Sequence, residues 1–482
     1  MDSFNGDEGL PVVGVAPRPT EALRDEAVRF RSASDRFRVL LSRRRTDIWR
    51  ACSAAAVVLF LVRLLGEPWN TKFPAVYPDT YSYFTIAKLG PLHGRFYAGD
   101  QPMLYPLFIW ALGRNIRLIV LVQSVLYVAA WAVLIRVALR RLARPIGPIA
   151  VACLLAIAVQ SRFAFWNTEL LSESLSFTLS ILVLALWWRA VANRLVSGVW
   201  PAAAATCCWV AIRDTNAINA LAAAALGAAL LFVCRWKLDA GHRKRFVGAL
   251  LVCATVSLAG VVSSSVGHRA RYGFYDVVGM RVLPDPALTR WFSEAGMPVN
   301  DTLRGRSGKD SWADGEVFLR SPELEAFRNW AAGPGQRRFI SSLVLRAPDW
   351  LHLFGNAMPS MIGGGVDAYD NHAVRTRLPS GGIVRLVSPR SATVFIYLLW
   401  AAAAALVAAL ILTRRSRSAL TFLAMMLAAS LGDWYLSYVG DAVEYQRHTI
   451  GAVLRVNVVV VLAIALAVDQ IRRHRTTLVG RS

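Results

Sequence analysis

Long apolar runs, separated by shorter polar and basic stretches, dominate this sequence. Ten of them have the length, about 20 residues, that a helix needs to cross a bilayer. They lie at 48–66, 117–139, 146–164, 172–190, 198–213, 217–235, 246–266, 391–413, 418–438 and 449–469. The pattern predicts an all-α polytopic membrane protein with about 10 transmembrane helices.

The polar segments divide the chain into five predicted regions. These are a flexible basic tail (1–47), a transmembrane region (48–266) that includes a first outer loop (67–116), an insert (267–390), a second transmembrane region (391–470) and a basic tail (471–482). The insert is too polar to span a membrane and too long for a bare connection, so it predicts a small, mainly helical extracytoplasmic subdomain. Its apolar set between Gln336 and Phe354 leaves two alternatives, the bilayer surface or packing on the spans.

Arginine clusters predict the orientation of the spans. If the spans alternate strictly, every cluster falls on one side of the membrane. The clusters are Arg43–Arg45, Arg136–Arg144, Arg189/Arg194, Arg235–Arg245, Arg414–Arg417 and Arg472–Arg475. Because basic loops stay in the cytoplasm, both termini are expected there and the insert outside.

Composition narrows the class of protein further. Hydrophobic residues make up 55% of the chain, and the formal net charge is +23. The basic residues sit in short clusters between spans rather than on one surface, which argues against nucleic acid as a partner. All six cysteines lie in or beside apolar runs, so neither a disulfide framework nor a metal site is indicated. Abundant arginine and alanine indicate a GC-rich bacterial genome, hence the bacterial cytoplasmic membrane.

An aspartate among tyrosines follows the first span. Asp79 lies between Tyr77, Tyr81 and Tyr83, outside the apolar run. One interpretation makes Asp79 a catalytic carboxylate, and the other makes it the N-cap of the helix that follows, since aspartate is a favoured cap residue. The residues alone leave these two interpretations equal.

Further charged residues fall on the same predicted side. Glu169 and Glu173 are four apart, which places them on one face if both are helical, although both also suit cap positions of the fourth span. Arg213 fits either a local ion pair with the next residue, Asp214, or a phosphate site. Arg447 and His448 open the last span at membrane depth, where a charge needs a partner or a ligand, so a functional role is favoured.

This layout resembles the membrane glycosyltransferases of fold type C, in the branch of bacterial protein O-mannosyltransferases and lipid A aminoarabinose transferases. The resemblance rests on the loop acid, the turn Gln101-Pro-Met-Leu-Tyr-Pro106, the Glu169-x-x-x-Glu173 segment and the outer-edge arginines. It covers roughly 48–235 and, more loosely, Glu444 to His448. It implies a sugar donor linked to a polyprenyl phosphate, transfer to an envelope acceptor on the outer face, and Asp79 as base.

The chemistry that the resemblance implies suggests which residues contact the donor phosphate and the sugar. Inverting transfer needs a base for the acceptor hydroxyl and cations for the departing phosphate. Expected donor-phosphate contacts are Arg213, Arg447, His448, Lys72 and Arg95; expected sugar or acceptor contacts are Tyr77, Tyr81, Tyr83, Glu169, Glu173, Asp100 and Gln101. Many family members carry two adjacent acids in this loop, whereas Pro78 and Thr80 flank Asp79, so no cofactor is predicted and a divalent metal is left open.

Two other classes of function compete. A lipid or glycan transporter or flippase is expected to carry charges near the middle of its spans and broken helices in two related halves. The charges lie at the outer edges, and only the second half contains the insert, which favours the enzyme. A non-catalytic scaffold for envelope assembly leaves Asp79 and Arg447 unexplained.

Overall fold

The computed structural model describes residues 76–97, 99–193, 198–233, 240–267, 269–363, 383–412 and 417–479. Within these ranges the chain is helical and contains no β-strand, which confirms the predicted all-α class. The predicted tail 1–47, the predicted span 48–66 and Lys72 lie outside the described residues.

The α-helices of the described ranges are α1 (Pro78–Leu89), α2 (Leu104–Ala111), α3 (Ile116–Arg141), α4 (Ile146–Ala158), α5 (Ser161–Ala164), α6 (Ser172–Ala192), α7 (Val199–Val210), α8 (Asp214–Val233), α9 (Ala240–Val266), α10 (Ala270–Val277), α11 (Pro286–Glu294), α12 (Asp301–Arg304), α13 (Ala313–Arg320), α14 (Glu325–Trp330), α15 (Gln336–Leu345), α16 (Ala347–Gly363), α17 (Ile383–Val387), α18 (Ala392–Leu412), α19 (Arg417–Gly440) and α20 (Tyr445–Val479).

Six of these helices, α3, α6, α9, α18, α19 and α20, are long and apolar enough to cross a membrane. Helices α4 and α5, continued by a 3₁₀ turn to Thr168, form a seventh candidate that is bent by 61°. The predicted spans 198–213 and 217–235 correspond to α7 and α8, and α7 has only 12 residues. The described helices therefore support a multi-pass membrane protein, and the count of ten spans stays a prediction.

The bend between α4 and α5 is stabilised by polar side chains. Gln160 adopts an extended backbone at the break (φ −63°, ψ 131°), and its amide Nε2 donates to the Ser388 carbonyl at 3.3 Å. Arg162, two residues further, donates to the Ile362 carbonyl at 2.5 Å. Irregular backbone is tolerated at membrane depth where the surrounding protein supplies such partners.

Helix α20 is the central element of the described spans. Of its most apolar 18-residue window, 83% is buried, and it packs against α4, α18 and α19. Arg447 and His448 lie in its first turn, and Arg455 follows two turns later. Because residues seven apart lie on the same face of a helix, His448 and Arg455 share one side of α20.

The insert packs around aromatic rings and is fastened to the last two spans. The Tyr275 and Phe318 rings stack with their centroids 6.1 Å apart, and Phe327 lies 5.5 Å from Tyr275. Arg281 places its guanidinium 3.7 Å from the centroid of the Tyr438 ring and donates to the Asp441 carbonyl at 2.7 Å. These contacts hold the insert beside the connection between α19 and α20.

Candidate functional site

Asp79 lies in the first turn of α1, two residues after the N-cap. The cap residue is Tyr77, whose backbone N–H donates to Thr80 Oγ1 at 3.2 Å, and Pro78 takes the first helical position. The interpretation of Asp79 as an N-cap is therefore wrong. Thr80 Oγ1 donates in turn to the Leu170 carbonyl at 3.1 Å, which fixes the start of α1 against the segment before α6.

Arg447 joins three carboxylates from three parts of the chain. Its Nη2 donates to Asp79 Oδ2 at 2.5 Å, its Nε to Glu173 Oε1 at 2.5 Å, and its Nη1 to Glu444 Oε2 at 2.6 Å. The Arg447 and Glu173 side chains are buried, whereas Asp79 is 35% exposed. Asp79 is thus a partly accessible carboxylate held by a buried cation.

Arg213 and His448 continue this group of charges. Arg213 Nη1 lies 3.4 Å from Glu173 Oε1, and its Nη2 contacts His448 Nδ1. The other imidazole nitrogen, Nε2, lies 3.1 Å from Asp441 Oδ2. Since arginine only donates, Nδ1 accepts and Nε2 carries the proton toward Asp441, an assignment that follows from these partners.

We refer to Asp79, Glu173, Arg213, Asp441, Glu444, Arg447 and His448 as the Arg447 cluster. It contains four carboxylates and two arginines, so with His448 neutral its net charge is −2. Burial opposes ionisation of Asp441 and Glu444, but the hydrogen bonds that these carboxylates accept, from His448 and from the backbone, together with the charge of Arg447, outweigh it and hold both pKa values below their ordinary range. An arriving anion therefore meets an acid-rich site. All three guanidinium nitrogens of Arg447 contact carboxylates, whereas Arg213 contacts one carboxylate, so Arg213 is the more available cation of the cluster.

The three tyrosines of the first loop divide into different environments. Tyr83 is buried, its hydroxyl donates to Ser172 Oγ at 3.0 Å, and its ring lies edge-on to Tyr105 at 4.8 Å. Burial, together with Asp79 and Glu173, raises its pKa. The expectation that Tyr83 offers a flat surface to a sugar is wrong. Tyr81 is 68% exposed and keeps that possibility, and Tyr77 is half-buried.

Glu169 and Glu173 do not share a helix. Leu171, in extended conformation, is the N-cap of α6, so Glu173 is helical while Glu169 ends the preceding 3₁₀ turn. The prediction that both acids lie on one face of a helix is therefore wrong, because only Glu173 is helical. Glu169 is fully buried, and its carbonyl accepts a hydrogen bond from Gln123 Nε2 at 3.1 Å.

The remaining predicted contacts lie at the surface of the first loop. Arg95 is exposed and its backbone N–H donates to His93 Nδ1 at 3.2 Å. Asp100 is exposed and Gln101 half-buried. Within the described residues, no contact joins these three to the Arg447 cluster. The suggested pair of Arg213 with Asp214 is also wrong, because Asp214 binds Arg269 at 2.7 Å.

The sequence reasoning missed Asp441 and Glu444 as members of the cluster. Arg447 and His448 follow Glu444 by three and four residues, so a helix that begins near Tyr445 brings both side chains close to the Glu444 carboxylate. Among the described residues, no three His, Cys, Asp or Glu side chains are grouped as a metal ion would require. The expectation of no metal stays a prediction.

A second polar group, also missed, lies within the spans. Asp433 on α19 pairs with Arg455 on α20, accepts a hydrogen bond from Asn219 on α8, and all three side chains are buried. They line a mainly apolar cleft whose walls include Trp187 and Phe246. The sequence-based statement that charges occur only at the outer edges of the spans is therefore wrong.

Comparison of this sequence with the models of known protein families and with curated proteins gives no match. Support for a function of this chain therefore comes from the geometry of the Arg447 cluster and from the resemblance in motif layout.

Proposed function

We propose that this protein is a membrane glycosyltransferase that moves a sugar from a polyprenyl-phosphate donor to an envelope acceptor at the outer face of the bacterial cytoplasmic membrane. The observation that carries the proposal is the Asp79 carboxylate, partly exposed yet oriented by the buried Arg447. A general base requires this combination of access and fixed position.

In the proposed reaction Asp79 takes the proton of the acceptor hydroxyl. The acceptor oxygen attacks the anomeric carbon, the bond from that carbon to the phosphate oxygen breaks, and polyprenyl phosphate leaves with the bonding electron pair. Arg213 and His448, 12% and 21% exposed, are the members of the cluster that would contact the phosphate. Arg447 positions Asp79 and is not assigned to the phosphate.

A deletion strain tests this proposal, because loss of transfer should leave the donor unused. Lipid profiling of that strain would name the accumulated polyprenyl-phosphate sugar. Asp79→Asn keeps the size of the side chain but cannot accept the proton, so transfer should fall by roughly 10²–10⁴-fold and the same lipid should accumulate. The matched control is Asp301→Asn, a fully exposed aspartate of the insert, which should restore the wild-type lipid profile. Full complementation by Asp79→Asn would refute the mechanism.

One observation favours a second candidate function, a lipid or glycan transporter. The Asp433–Arg455 pair and Asn219 lie buried inside the spans beside an apolar cleft, and ionisable groups at such depth often mark transport pathways. Reconstituted vesicles with a fluorescent polyprenyl phosphate separate the two functions. Movement of this lipid across the bilayer that survives Asp79→Asn and is lost in Asp433→Asn would favour the transporter.

A further inference from the structure

Helices α15 and α16 present an exposed apolar stripe. Ile340, Val344, Leu345 and Leu351 are 65%, 76%, 69% and 56% exposed, and we refer to these four residues as the exposed stripe. Isolated exposed leucines are normal, but contiguous apolar residues on one helical surface mark an interaction site.

The opposite face of the two helices is packed. Trp350 is fully buried, its Nε1 donates to Ser342 Oγ at 3.1 Å, and its ring lies 5.7 Å from Phe339. The exposed stripe is thus not the interior of an unfinished core. It is the outer face of an amphipathic helix pair whose inner face already has partners.

Contacts of α16 place the exposed stripe at the level where the spans end. The Tyr438 hydroxyl, in the last turn of α19, donates to the Leu353 carbonyl at 3.0 Å, and the Phe354 ring lies 5.3 Å from Trp434. Further along α16, Ser360 Oγ lies 3.0 Å from the hydroxyl of Tyr445, the first residue of α20. Helix α16 therefore crosses the ends of two spans, on the side that carries the Arg447 cluster.

The neighbouring span shows the boundary of the bilayer at the same end. Helix α18 contacts α16, and Tyr397, in the second turn of α18, is 68% exposed. An exposed tyrosine near the end of a span is typical of the membrane–water interface. Trp400, about one turn deeper, is 70% exposed, so this face of α18 is turned away from the protein. Helix α16, which carries Leu351 of the exposed stripe, therefore lies beside a lipid-facing span.

The segment that carries the exposed stripe has a positive net charge. Residues 336–363 contain three arginines and one aspartate, and Arg346 pairs with that aspartate, Asp349, at 2.6 Å. Arg337 and Arg338 are exposed at the start of α15, about one turn before Ile340. Basic residues beside an apolar helical face complement anionic lipid headgroups.

We propose that the exposed stripe inserts into the leaflet on the side of the Arg447 cluster, at the boundary between headgroups and hydrocarbon, with Arg337 and Arg338 on anionic lipid phosphates. The insert is then anchored by the membrane beside the cluster. This anchoring does not depend on which reaction the cluster performs.

Spin-label accessibility measures the depth of the exposed stripe directly. The full chain, with its six native cysteines replaced, receives a nitroxide at Val344→Cys in nanodiscs of phosphatidylcholine and phosphatidylglycerol. Arg304→Cys, on the exposed surface of the insert, is the matched control. We expect the ratio of oxygen to nickel-chelate collisions to be several-fold higher at 344 than at 304, and Leu351→Cys supplies a second label in the exposed stripe.

Two results would overturn the insertion. Equal ratios at 344 and 304 would place the exposed stripe in water, and low collision rates with both reagents would mean that a protein, a second copy or a partner, covers it. The charge contribution is tested by adding Arg337→Glu and Arg338→Glu to the labelled chain. The ratio at 344 should then fall in nanodiscs that contain phosphatidylglycerol and stay constant in phosphatidylcholine alone; no fall would refute the role of the arginines.

Discussion

Replacing Arg447 with glutamine should destabilise the protein chiefly through Glu173. Glu173 is fully buried with Oε1 2.5 Å from Arg447 Nε, whereas Asp79 and Glu444 are 35% and 31% exposed and keep part of their hydration. Removing one partner of a buried ion pair costs about 3–5 kcal/mol. Arg213 remains 3.4 Å from Glu173, so we expect Arg447→Gln to lie at the lower end, about 3 kcal/mol.

A second substitution separates the buried charge from lost packing. In the double variant Glu173→Gln/Arg447→Gln no uncompensated carboxylate is left at that position, so most of the lost stability should return. The free energy of unfolding is measured in mixed micelles by titration with a denaturing detergent. The wild type, the two single variants Glu173→Gln and Arg447→Gln, and the double variant complete the double-mutant cycle. Arg475→Gln, which removes an exposed arginine from the same helix, is the control and should change stability by less than about 1 kcal/mol.

The reasoning fails if the double variant is no more stable than Arg447→Gln alone. That result would mean that Arg447 stabilises the protein by packing or by its contacts with Asp79 and Glu444, and not by neutralising Glu173. It would also weaken the assignment of Arg447 as the residue that positions Asp79, since a side chain that only fills space does not orient a carboxylate.

Two further predictions concern the insert. Burial raises the pKa of Asp276 to about 6; Asp441 and Asp310 add to the rise, and the Ser311 hydrogen bonds oppose it. The unfolded carboxyl has a pKa of about 3.9, so the free energy of unfolding should fall as pH rises between about 4 and 6. At pH 7 the free energy of unfolding of the Asp276→Asn protein should therefore exceed that of the wild type by about 3 kcal/mol. Unfolding free energies of both proteins at the two ends of this window check it, and a difference that does not change with pH would contradict it. The arginine clusters predict that the insert lies outside, so a reporter that is active only in the cytoplasm should be inactive when fused after Gly308. Activity there would reverse the predicted topology.

The long apolar helices of the described ranges were predictable from hydropathy. The predicted span 172–190 is the helix Ser172–Ala192, since an apolar run bounded by charged residues leaves little choice. The predicted span 449–469 is part of the longer helix Tyr445–Val479. Hydropathy locates only the apolar part of a helix. The helix continues beyond its apolar part where the residues that follow, such as Arg472 and Arg473, are good helix formers.

The sequence predicted which residues come together at the candidate site better than it predicted what each of them does there. Asp79, Glu173, Arg447 and His448 come together because all four lie at the same ends of their helices. Whether a tyrosine faces solvent or protein depends on how α1 is rotated against its neighbours, and sequence spacing does not fix that rotation. Tyr81 and Tyr83 are two residues apart, yet Tyr81 is exposed and Tyr83 reaches Ser172 on α6.

The pair within the spans was missed for a different reason. Averaging hydropathy over about 19 residues hides a single charge. The number of residues between Asp433 and Arg455 does not by itself predict that they meet. Their positions relative to the connection between α19 and α20 do predict it, because Asp433 is 7 residues before Gly440 and Arg455 is 10 residues after Tyr445. In neighbouring antiparallel helices such residues lie at similar depth, here roughly 10–15 Å from the helix ends. Since Arg455 shares one face of α20 with His448, the Arg447 cluster and the Asp433–Arg455 pair are two polar layers along the same helix. A set of variants restricted to Asp79 and its neighbours would probe only the first layer, so Asp433 belongs in any experiment that distinguishes sugar transfer from lipid movement.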